Sequence, residues 1–243
     1  MQITPLGDSA LIVRVCEDFE GSPDKALNAV LAAQRRLENA ALPGAMDLAP
    51  AYTTIALFFD PVHAIQAGAP IENVFDWFAQ KIREILNSVY PVADNGQAVK
   101  SVPGERSIAI PVCYELELGF DLDEVAAHTK MSVQEVIDLH CSARYRVSCV
   151  GFTPGFPFLS GLPDKLATPR RSIPRKEIPA GSVAIGGRQT GIYSTKSPGG
   201  WNVIGRTPLR LFDPKKNPPA VLRAGDRVRF RAITREEFER AGK

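Results

Sequence analysis

Two hydrophobic periods alternate along this 243-residue chain. The opening MQITPLGDSALIVRV carries a β-branched run from Ala10 to Val15 behind the turn-prone pair Gly7-Asp8, which predicts two strands joined as a hairpin. From Asp24 to Ala41, Leu27, Val30, Leu31 and Leu37 recur at helical spacing between Ser22-Pro23 and Pro43-Gly44, residues that start and stop helices. YTTIALFFD then reads as a strand ended by Asp60-Pro61. IENVFDWFAQKIREILN reads as a helix with Val74, Phe78, Ile82 and Ile85 on one face. The polar stretch that follows has no helical period and is broken by Pro91, Gly96, Pro103 and Gly104. It marks a boundary: an N-terminal α/β domain over 1–90, a linker over 91–106 and a second domain over 107–243.

The second domain begins with the strand SIAIPVCY. Two short helices follow, each with the spacing of a capping box: Asp121 with Glu124, and Ser132 with Glu135. RYRVSCV alternates with period two and leads into a region of a different kind. Residues 151–210 hold 10 of the 19 glycines and 8 of the 20 prolines, with short β-rich pieces GSVAIGG, TGIYS and WNVIG between them. That pattern predicts a closed all-β body with tight corners. AGDRVRFRAI supplies a further strand, and TREEFERAG a terminal helix capped by Thr234 with Glu237. The fold class expected is α+β, a small α/β domain followed by a β-rich one.

Composition narrows the functions. A net charge of +2 with 23% charged residues lacks the excess of a nucleic-acid binder, and no apolar run approaches the roughly 20 residues that span a bilayer. The start lacks a secretory signal, so the expected location is cytoplasmic, with no nucleic-acid or membrane partner. The four cysteines form no C-x-x-C pair, and His63, His128 and His140 show no ligand spacing, so no metal is expected in this chain.

The charge is nonetheless unevenly placed. Residues 151–210 carry nine basic residues against two acids, a net +7, so the rest of the chain carries −5. Within TPRRSIPR, prolines on both sides of Arg170 and Arg171 limit where the guanidiniums point, and Arg175 follows. Arginine forks pair bidentately with carboxylate or phosphate, and glycine-rich turns let backbone amides approach an anion. The expected site is therefore an anion-binding cleft. Gly181 and Gly186 stand at P-loop spacing, but the lysine position holds Gly187 and no helix follows, which excludes that motif. Thr190, Tyr193, Ser197 and Trp201 are candidate pocket walls or hydrogen-bond donors. His140, next to the region in sequence, is a candidate general acid or base.

LHCSARYRVSCVGFTPGFPFLSGLP, LATPRRSIPRKEIPAGSVAIGGRQTGIY and SPGGWNVIGRTPLRLFD closely resemble the family of 5-oxoprolinase B subunits, also described as allophanate hydrolase subunit 1 or the Kip-type sporulation-kinase inhibitor. LGDSALIVRV and AGDRVRF fit the same family. The resemblance implies a cyclophilin-like β-barrel for the second domain. It implies partner subunits A and C and an enzyme that opens 5-oxo-L-proline to L-glutamate with ATP hydrolysis, ATP lying at a site shared with a partner subunit. Relatives described as sensor histidine kinase inhibitors, and allophanate or urea chemistry, are the alternatives. On this basis the catalytic candidates are His140, Arg170 and Arg171. The candidates for binding a small anionic substrate are Arg175, Gln189, Thr190, Tyr193, Ser197, Trp201 and Arg206.

Overall fold

β1 (Gln2–Pro5) and β2 (Ala10–Arg14) form the expected antiparallel hairpin, with Gly7 at φ +63° in its connection. The computed structural model describes residues 1–87 and 106–242, so the linker expected over 91–106 lies outside the described residues except for Arg106. The chain divides into two compact units, Met1–Pro103 and Gly104–Lys243. Among the described residues no helix is long and apolar enough to cross a membrane.

In the first unit, α1 (Pro23–Ala40) starts with Pro23, whose missing N–H costs nothing in a first turn, and ends at Ala41 in the left-handed conformation. β3 (Ala45–Ala51), β4 (Thr54–Phe59), α2 (Pro61–Gln66) and α3 (Val74–Asn87) follow. The sheet order is β1-β2-β4-β3, antiparallel throughout. Leu27, Val30, Leu31 and Leu37 of α1 are buried as their spacing requires, and so are Val74, Phe78 and Ile82 of α3. Leu86 takes the last buried place of α3 and leaves Ile85 partly buried. Each large side chain buried in this core contributes about 1.5–3 kcal/mol. The hydrophobic pattern does not announce β3 or α2. β3 is AMDLAPA, without alternation, and its pairing with β4 marks it as a strand. Asp60, read as a strand end, caps α2 by accepting from the N–H groups of Val62 and His63 at 2.9 and 3.2 Å.

The second unit opens with β5 (Ser107–Val112), α4 (Leu122–Thr129), α5 (Val133–Ser142) and β6 (Tyr145–Val150). β7 (Pro157–Ser160), a 3₁₀ turn at Asp164–Leu166, β8 (Arg175–Ile178) and β9 (Ser182–Gly186) come next. β10 (Gln189–Ile192), β11 (Ser197–Gly199), β12 (Asn202–Arg206), β13 (Arg227–Ala232) and α6 (Arg235–Ala241) complete it. The main path runs β5-β13-β6-β7-β10-β9-β12, antiparallel except for β5 with β13, while β8 and β11 form a separate ladder. This path is open, so its ladders do not establish the closed body. One bridge, in which Cys113 and Arg206 exchange N–H···O bonds at 2.9 Å, links the end of β12 to the residue after β5.

Ser132 with Glu135 and Thr234 with Glu237 form complete capping boxes. Asp121 does not: its side chain makes no cap hydrogen bond to α4. The alternation in β6 also has another outcome than a wet face, since Arg146 and Ser148 are both buried.

Candidate functional site

Asp121 is withdrawn from the cap because its carboxylate organises the cationic loop. The side chain is 0% exposed. Its Oδ1 accepts from Arg171 Nη1 at 2.8 Å and Arg175 Nη2 at 2.6 Å, and its Oδ2 accepts from Arg175 Nη1 at 2.8 Å and from the Val203 N–H at 2.7 Å. Four donors satisfy the carboxylate, and the fork of Arg175 is bidentate, the strongest geometry for such a pair. Arg171 also meets Glu124 at 2.6 Å, and its own N–H donates to the Gly200 carbonyl at 2.7 Å. Arg175 lies over the Phe120 ring at 4.6 Å. The acid can come this close to β12 because Gly119 precedes it: a Cβ there would stand 2.3 Å from the Ile204 carbonyl oxygen. The result is a clasp that ties the loop TPRRSIPR to α4 and β12.

Beside it, Phe156, Phe158, Tyr193 and Trp201 pack edge-on at centroid distances of 5.2–5.8 Å, with Phe156 and Phe158 tilted at 4.8 Å, and Arg170 lies 5.6 Å from the Trp201 ring. Glycines make room for the rings. A Cβ on Gly186 would lie 2.5–2.7 Å from the Trp201 indole, and one on Gly199 would lie 2.2 Å from the Tyr193 hydroxyl. Burial pushes the Tyr193 phenol up, opposed by a Trp201 backbone hydrogen bond and by the charges of Arg170 and Arg175. Phe152 joins this packing from the outside: its ring meets Phe156 edge-on at 5.7 Å, yet the residue takes φ +68°, a conformation costly for a side chain, and is 64% exposed.

Arg170, Arg171, Arg175, Tyr193 and Trp201 are thus brought together. Ser197 joins them through the β8–β11 ladder, its hydroxyl buried without a hydrogen-bond partner. Gln189 pairs with Gly186 at the start of β10, under the Trp201 side of the cluster.

His140 and Thr190 sit elsewhere, in the main core. The Thr190 hydroxyl donates to the Ala184 carbonyl at 3.0 Å, which leaves it to accept from His140 Nε2 at 3.2 Å. Nδ1 then accepts from the Tyr114 hydroxyl at 2.8 Å. This donor order fixes the neutral Nε2–H tautomer, and burial lowers the imidazole pKa to about 3. The ring stacks on Phe230 at 4.4 Å. With no exposed atom and both nitrogens bonded, His140 has no route in this conformation for exchanging a proton with solvent.

Arg206, at the end of β12, lines a separate cleft of about 660 Å³ with Gly181, Thr195, Leu209, Arg210 and Phe212. Among the described residues no three His, Cys, Asp or Glu side chains gather as a metal site. Asp121 is the residue that the sequence reading missed in this role. Its signal was its place between Phe120 and Leu122 in LELGFDLDEV, where an acid that follows its apolar neighbours inward requires a cation from elsewhere in the chain.

The family model of the carboxyltransferase domain, subdomain C and D, matches residues 1–222. The B subunit of 5-oxoprolinase from Bacillus subtilis is 40% identical over 237 residues, covering 98% of this chain and 95% of that protein. The chain belongs to the family of 5-oxoprolinase B subunits. A family member from Escherichia coli O157:H7 is 54% identical over 128 residues, 53% of this chain and 59% of that protein. The crystal structure of the K. lactis urea amidolyase matches 98% of this chain and 15% of that chain with a TM-score of 0.74, a likeness of fold alone at 19% identity. The stretches that carry the family resemblance, TPRRSIPR and SPGGW, are the ones that build the clasp and the aromatic seat.

Proposed function

We propose that this chain is the B subunit of an ATP-dependent 5-oxoprolinase that works with partner subunits A and C. The observation that carries the reading is the 40% identity to a 5-oxoprolinase B subunit along nearly the whole of both chains. The chemistry gives a rigid, cationic subunit a purpose. A lactam amide is a poor electrophile. Transfer of the ATP γ-phosphoryl group to the carbonyl oxygen activates the ring carbon: water adds to it, the C–N bond breaks as the nitrogen takes up a proton and leaves, and a second water hydrolyses the resulting γ-carboxyl phosphate to glutamate and phosphate. The charge that develops is negative, so arginines suit both the substrate carboxylate and the phosphoryl group. The sequence has no phosphate loop, and ATP is accordingly assigned to a site completed by a partner subunit.

We also read the second unit as a cyclophilin-like barrel whose seam lies at the Cys113–Arg206 bridge, with domains over 1–90 and 107–243. The test of function is glutamate and ADP release from 5-oxoproline and ATP by the three subunits together and by the partners without this chain. Release only from the complete mixture is expected. Undiminished release without this chain would remove the assignment and bring forward binding to a sensor histidine kinase.

A further inference from the structure

The positive charge of residues 151–210 divides by partner and burial: among the described residues Lys165, Arg170 and Lys176 have no carboxylate partner but are exposed to water. Arg171 and Arg175 share Asp121, Arg188 meets Asp164 at 2.7 Å, and Lys196 meets Glu177 at 2.7 Å. Arg206 is different. Its Nε donates to the Ala180 carbonyl at 2.8 Å, which orients the guanidinium plane, and among the described residues neither Nη group has a hydrogen-bond partner and no carboxylate pairs with it. Burial pushes its pKa down with no neighbouring acid to oppose the shift. A partly buried guanidinium without a counter-charge is costly unless an anion arrives to pair it.

The surroundings are built for such an arrival. Gly181, at φ +84°, holds the adjacent turn so close that a Cβ would meet the Thr207 carbonyl at 2.5 Å and Arg206 Cγ at 3.4 Å. The cleft walls combine Thr195 and Arg210 with the apolar Leu209 and Phe212. Arg210 is already shared with Asp213 at 3.5 Å, so one guanidinium is left open. One open cation among apolar walls matches a single carboxylate on a small apolar body. A nucleotide triphosphate would call for several cations.

We propose that the cleft beside Arg206, complete within this chain, binds a small carboxylate through the Nη edge of that guanidinium. The choice of 5-oxoproline as the ligand rests on the function proposed above; the existence of the anion site does not.

The test is titration calorimetry of the full chain with 5-oxoproline, with 2-pyrrolidinone, which is the same ring without the carboxylate, and with inorganic phosphate. Saturable binding of 5-oxoproline is expected, with 2-pyrrolidinone about tenfold or more weaker. Arg206→Gln should lose a similar factor for 5-oxoproline and none for 2-pyrrolidinone, and Arg206→Lys should recover part of the loss. Equal affinity of the intact chain and Arg206→Gln overturns the proposal, as does absence of saturable binding. Preference for phosphate overturns the carboxylate assignment. The reconstituted enzyme keeps the two readings apart. An unchanged KM for 5-oxoproline with Arg206→Gln removes the cleft and leaves the subunit assignment standing, whereas turnover without this chain removes the subunit assignment whatever the cleft binds.

Discussion

The clasp and the cleft use the same side chain in opposite ways. At the clasp, Arg171 and Arg175 are 27% and 28% exposed and converge on a carboxylate that is wholly buried. At the cleft, Arg206 is partly buried, and among the described residues its guanidinium meets a carbonyl oxygen and no acid. The acid that separates the two cases lies outside the glycine and proline region. A local charge of +7 therefore says little about where a positive field remains; that depends on acids such as Asp121 and Glu124, 47–54 residues away along the chain.

Removing the acid breaks the comparison most severely. Asp121→Ala leaves the Val203 N–H and the Arg175 guanidinium without their acceptor and Arg171 with Glu124 alone, and should cost about 3 kcal/mol or more in equilibrium urea unfolding. A loss below about 1 kcal/mol would show that solvent replaces the clasp. Gly186→Ala is next. The added methyl must displace the Trp201 ring and loosen the seat on which Arg170 rests, for an expected loss of about 1–3 kcal/mol in the same measurement, with a change in tryptophan fluorescence. The third prediction, spread over several pH units, concerns His140. Its folded pKa, about 3, lies below the unfolded value near 6.5, so below pH 6.5 the unfolded chain takes up a proton that the native chain refuses. Stability should fall with falling pH between those values by about 1.4 kcal/mol per unit from this group, and the slope should be correspondingly shallower in His140→Gln.

The parts legible in the sequence are those fixed by local rules. The 3.6-residue period locates α1 and α3, and two of the three capping boxes read at spacing three are present at α5 and α6. What escaped is decided at long range. AMDLAPA becomes a strand through pairing and not through its own pattern, and Asp121, which has the spacing of a cap, is claimed instead by Arg171 and Arg175. The glycines also mislead if read as corners alone. Gly186 and Gly199 leave space for rings that lie 15 and 6 positions away. Of the site residues expected from sequence, Arg170, Arg171, Arg175, Tyr193, Ser197 and Trp201 gather around the clasp and the aromatic seat with Gln189 beside them, Arg206 stands at its own cleft, and His140 with Thr190 lies in the core, a burial that no local pattern signals.

The division between holding and binding arginines is tested most directly by thermal unfolding of Arg171→Gln and Arg206→Gln with and without saturating 5-oxoproline. Ligand at a hundredfold excess over Kd adds about 2.7 kcal/mol to a chain that binds it. Arg206→Gln should melt with the intact chain, within about 0.5 kcal/mol, and gain nothing from the ligand. Arg171→Gln should melt lower and still gain from it. The reverse pattern, with the ligand-induced gain kept in Arg206→Gln and lost in Arg171→Gln, would place the anion at the clasp and contradict the division.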